Sequence, residues 1–243
     1  MDAEAERAVS VKEENEPWKK QKTYHISRYE RTGGKTVLEH INFEYQLPEK
    51  YTEIFSVDAT DKKTAVILNL AAGVLMFLTG FIGYRWLMPV HFMRETPLWK
   101  ELLFLAALFL YIVLHELTHG AAYKLLTRQK LTYGFTLSVA YCGVPHIYVY
   151  RRTAIISLLA PFVTFTILFA ILTLMLQDVY SKYLAWLLLS MHIGGCAGDL
   201  YDTLLYLFKL RNPETLMKDT GPKQTFYLPE KLQIKEQNTD RQQ

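Results

Sequence analysis

No charged residue occurs between Lys63 and Arg85, a run long enough to cross a hydrocarbon core about 30 Å thick as one helix. Three further apolar stretches follow, from Leu98 to about Leu126, from Thr153 to Leu176 and from Tyr183 to Phe208. Inside lipid every backbone N–H and C=O needs a protein partner, and runs of this length meet that demand as helices. The spacing therefore predicts an all-α polytopic membrane protein of four transmembrane helices. Between the second and third, residues 131–152 are rich in Tyr, Thr, Val and Ile around Cys142-Gly143-Val144-Pro145, which reads as a β-hairpin turning at that tetrapeptide. Three units follow: a charged cytoplasmic segment at 1–63, a membrane domain at 64–208 and a cytoplasmic tail at 209–243.

The second span carries the chemistry. Ile112 to Tyr123 reads IVLHELTHGAAY, so His115 and His119 lie one helical turn apart on one face and can share a Zn²⁺. Glu116, beside them, is placed to act as general base toward water at such a centre. Two imidazoles and a carboxylate are costly inside a membrane helix, and groups of that kind are usually functional.

The fourth span ends in HIGGCAGDLYD, where Asp199 needs a partner if it lies in lipid, and a bound cation is the natural one. His115 and Asp199 lie at similar distances along the sequence from the outer ends of their spans, Leu98 and Tyr183, so on straight helices they reach similar depth. Asp199 is thus the preferred third ligand, ahead of Cys196, His192 and Asp202, with Asp202 suited to support from behind a ligand. Gly194, Gly195 and Gly198 should let another helix approach closely. Asn69 in the first span reads as a polar contact between helices. Pro161 in the third frees a helix carbonyl, which is read here as shaping packing rather than the centre.

Charge sets the remaining expectations. The net charge is only +3, which gives no reason to expect nucleic acid as a partner. With the N-terminus inside, Lys62, Lys63, Lys124, Arg128, Arg151, Arg152, Lys209 and Arg211 all flank the inner ends of the spans. Only Arg85, Arg94, Lys100 and Lys182 flank the outer ends. Both termini of this multi-pass cell-membrane protein are therefore expected in the cytoplasm. Cys142 and Cys196 are the two cysteines, too few and too far apart for a disulfide framework. Thr36 to Tyr45 alternates like a short strand, and the tail after Lys209 offers no motif.

HELTHG on one helix, the Tyr-rich hairpin, the Leu-Ala-Pro-Phe helix and Gly198-Asp199 on the next resemble a bacterial family of putative zincin peptidases. The resemblance covers roughly residues 45–210. That family is similar in turn to the site-2 intramembrane metalloproteases. The resemblance implies His115, His119 and Asp199 as zinc ligands and Glu116 as general base. It departs from site-2 proteases at the third ligand, where Leu200 follows Asp199 in place of glycine.

The expected function is zinc-dependent hydrolysis of a peptide bond in or near a transmembrane segment, with a membrane protein or peptide as substrate and the lipid bilayer as surroundings. A metal-ion transporter and a non-catalytic zinc-binding scaffold are the alternatives. Transport would favour repeated liganding motifs, which the sequence lacks, and a scaffold would not need Glu116.

Overall fold

The computed structural model describes residues 42–87, 97–136 and 140–232. In order they form β1 (Phe43–Glu44), β2 (Tyr51–Asp58), α1 (Lys62–Leu87), α2 (Leu98–Thr127), β3 (Thr132–Phe135), β4 (Ala140–Gly143), β5 (Tyr148–Tyr150), α3 (Arg151–Met175), α4 (Val179–Gly195), α5 (Ala197–Phe208), β6 (Leu216–Asp219) and β7 (Lys223–Pro229).

The strands correct the all-α expectation. β1, β5, β6, β7 and β2 make one antiparallel five-stranded sheet in that order, and β3 pairs with β4 in a separate ladder. Val149 faces Phe43 on one side and Met217 on the other, and Met217 faces Phe226. The sheet thus joins segments from before α1, between α2 and α3, and after α5. β1, β5 and β6 are too short, and the apolar residues of β2 and β7 too mixed with charged and polar residues, for alternation to show in the sequence. The supposed tail after Lys209 supplies β6 and β7. The part of the expected Thr36–Tyr45 strand that can be described holds β1; residues 36–41 lie outside the described residues.

The four-span count also falls. Among the described residues three helices, α1, α2 and α3, are long and apolar enough to cross a membrane. The fourth run instead forms two shorter helices, of 17 and 12 residues. They part at Cys196, whose φ of −80° and ψ of 5° leave the helical region. Gly194 and Gly195 just before it weaken the helix. The expected hairpin is present but shifted: β3 pairs with β4, Thr132 opposite Gly143, so Gly143 ends a strand instead of making the turn. Val144 N–H then donates to the Asp219 carbonyl at 3.0 Å, tying this loop to β6.

α1 packs on α4, α4 on α3 and α3 on α2, with α5 against α3. At Gly194 a side chain would press on the Ala72 carbonyl and Met76, so this glycine brings α4 close to α1. Gly195 and Gly198 have no such close neighbour. The start of α1, the end of α2, the start of α3 and the end of α5 each adjoin a strand. There Tyr123, Ala154, Leu158, Leu205 and Tyr206 pack with Val57, Val149, Met217 and Phe226 in one buried cluster. Away from the sheet, Val66, Ile67, Leu70 and Phe77 of α1, Leu103 and Phe109 of α2 and Leu168 and Leu174 of α3 are exposed. Apolar faces this extensive are what helices present to acyl chains.

Candidate functional site

His115 and His119 point from successive turns of α2 toward the first turn of α5, where Asp199 lies. Both imidazoles are buried, 7% and 8% exposed. Asp199 Oδ2 stands 3.4 Å from His115 Nε2 and 3.4 Å from His119 Nε2. The break at Cys196 is what turns the chain so that α5 begins here. Depth matching along a straight fourth helix thus pointed to a residue that does lie beside the two imidazoles, although the helix it assumed is broken.

This trio suits a zinc ion. Tetrahedral ligands at about 2.0–2.1 Å from zinc are separated by roughly 3.3–3.4 Å, the spacing found between Asp199 and each imidazole. Two histidines and a carboxylate are a recurrent donor set of catalytic zinc sites, which keep one further position for substrate. Each histidine is also held at its other nitrogen. His119 Nδ1–H donates to the Ser157 carbonyl at 2.8 Å, and His115 Nδ1 is 3.1 Å from the Tyr111 hydroxyl. Zinc ligands are commonly oriented in this way.

The three donors line a cavity of about 360 Å³ with Glu116, Asn69, Asp202 and Asp219. Residues of both α1 and α2 line it, and Ala140, Tyr141 and Cys142 of β4 contribute as well. Residues 108–213 match the family described as putative zincin peptidase. That match runs from mid-α2 past the end of α5, so it takes in all three donors and Glu116. No curated protein and no solved structure matches the chain.

Within the matched segment a second set of donors lies next to the first: His115, His192 and Cys196, all buried. His115 belongs to both sets. Asp202, 3% exposed, lines the cavity but belongs to neither. His146 is exposed and belongs to neither set. Asn69 faces the cavity instead of merely joining helices.

Several contributors were not legible in the sequence. Asp219, in the segment that seemed to lack any motif, accepts bonds from Tyr123 Oη at 2.7 Å, Gly221 N–H at 2.9 Å and Gln224 Nε2 at 3.2 Å. Burial nevertheless pushes its carboxyl up to about 6. Gly221, at φ +101°, makes the turn after it in a conformation suited to glycine. The Ser157 carbonyl could have been anticipated. It is the acceptor that Pro161, four residues on, leaves without its helical donor, so the proline serves the centre as well as the packing.

Proposed function

We propose that this protein is a zinc-dependent intramembrane peptidase of site-2-protease type, cutting a peptide bond in or beside a transmembrane segment of its substrate. The observation that carries the reading is the trio of His115, His119 and half-buried Asp199, with Glu116 on the same cavity wall, set among helices long and apolar enough to cross a membrane. His115, His119 and Asp199 would hold the ion. Zinc, when bound, supplies Lewis-acid polarisation of the scissile carbonyl and makes water more acidic.

The protein's own residues do the rest. Glu116 takes the proton of the attacking water at its carboxylate and returns it to the departing amine. The surrounding apolar helices exclude bulk water and strengthen electrostatic interactions in the cavity. A substrate helix hides its carbonyls in its own hydrogen bonds, so it must open locally, and β4 beside the cavity offers an edge for an extended segment. α1 packs on α4 and α5 rather than on α2, which supports entry between α1 and α2. The sheet gathers four helix ends on one side, and Lys62, Lys124, Arg128, Arg151 and Lys209 lie at those ends. This supports a cytoplasmic sheet in a multi-pass arrangement.

The test is reconstitution with a single-span membrane substrate, measuring zinc content and cleavage together. Wild type should hold about one zinc and cleave. Glu116→Gln should keep the zinc and lose about 10²–10⁴-fold in rate. Protein purified without chelator that contains no metal, or equal turnover in the variant, overturns the proposal.

A further inference from the structure

The two histidines of α2 are oriented from a neighbouring helix. In an uninterrupted α-helix the N–H of residue 161 would bond the carbonyl of residue 157. Pro161 lies inside α3 and has no N–H to give. Ser157 is fully buried, where a carbonyl needs a partner, and His119 Nδ1–H donates to it at 2.8 Å. A carbonyl can only accept. The proton of a neutral His119 is therefore on Nδ1, and the Nε2 lone pair faces Asp199.

A longer chain of hydrogen bonds does the same for His115. His192 Nε2 lies 3.1 Å from the Phe162 carbonyl, again acceptor only, so Nε2 carries the His192 proton and Nδ1 accepts. The Tyr111 hydroxyl donates to that Nδ1 at 2.9 Å. Its oxygen is then free to accept from His115 Nδ1–H at 3.1 Å, which leaves the His115 Nε2 lone pair aimed at Asp199. Phe165 and Phe169 close edge-on around Tyr111, with ring centroids 5.2 and 5.5 Å away, and keep water from the relay. The Tyr111 hydroxyl stands between His115 and His192, where an ion shared by His115, His192 and Cys196 would have to displace it.

We propose that α3 orients both imidazole ligands through two backbone carbonyls: Ser157 O, released by Pro161, acts directly on His119, and Phe162 O acts on His115 through His192 and Tyr111. Pro161, Tyr111 and His192 are thus positioning residues, and His192 and Cys196 are not ligands. The inference rests on the zinc reading of the His115, His119 and Asp199 trio.

The experiment uses full-length protein in detergent. Zinc affinity is measured by competition with a chelator, the cobalt-substituted protein by its absorption spectrum, and the metal-free protein by thermal unfolding. Tyr111→Phe and Pro161→Ala should each weaken zinc binding about 10–100-fold. Pro161→Ala should not lower the melting temperature of the metal-free protein, because Ala is the better helix former at 161; Tyr111→Phe keeps the ring packing but leaves two buried imidazole nitrogens without its hydroxyl and should lower it by a few degrees. Wild-type cobalt protein should lack a thiolate charge-transfer band, and Cys196→Ala should bind zinc as wild type does. Wild-type zinc affinity in either relay variant overturns the inference, as does an affinity loss in Pro161→Ala matched by an equal loss of metal-free stability. A thiolate band that vanishes in Cys196→Ala overturns it too, by placing the ion in the other donor set. If wild type binds neither metal, the zinc reading fails and this inference with it; normal wild-type binding with unaffected variants removes this inference alone.

Discussion

Replacing Asp199 with Asn probes the centre at its third donor. The carboxylate oxygen stands 3.4 Å from both imidazole Nε2 atoms, so the substitution preserves shape while exchanging an anionic donor for a neutral amide. Losing a group that only supports a ligand costs about 10–100-fold in metal affinity, and losing a direct donor should cost ~100-fold or more. That is about 2.7 kcal/mol, and by linkage the same amount disappears from the stabilisation that excess zinc confers. For a chain of this size each kcal/mol moves the melting temperature by roughly 2–4 °C. The zinc-induced rise should therefore shrink by about 5–11 °C. The metal-free variant should melt close to wild type, because the attraction of the half-buried carboxylate for the imidazoles is offset by its desolvation cost. Scanning fluorimetry with and without zinc reads both effects, and Asp202→Asn, outside the donor set, should show the smaller loss. A zinc-induced rise in Asp199→Asn equal to that of wild type would refute the assignment.

Two further outcomes test the frame around the centre. Gly194→Ala places a methyl 2.7 Å from the Ala72 carbonyl oxygen, so α1 and α4 must separate; about 1–3 kcal/mol of stability should be lost, seen as a lower melting temperature in metal-free protein. Burial raises the Asp219 carboxyl from 3.8 to about 6, so the folded protein holds that proton more tightly than the unfolded chain. Its contribution to stability is full below pH 4 and is lost as pH rises through 6, by up to about 3 kcal/mol. Asp219→Asn should remove this pH dependence in unfolding of the metal-free protein, and an unchanged profile would count against it.

How far the sequence reached depended on the range of the interactions involved. His115, Glu116 and His119 were legible because helical periodicity alone puts four-apart residues on one face, and α1, α2 and α3 were legible because length and apolarity alone make a membrane-spanning helix. The sheet was not, since β1, β5 and β6 are short and the pairing of its strands is decided between segments as distant as Phe55 and Phe226. The fourth apolar run looked like one span because hydropathy does not register the break at Cys196 that starts α5 just before Asp199. Pro161 was visible as a residue that frees the Ser157 carbonyl. Only the packing of α3 against α2 put His119 within 2.8 Å of that oxygen, because a hydrogen bond between helices depends on where both backbones lie, and no local pattern in either helix encodes it.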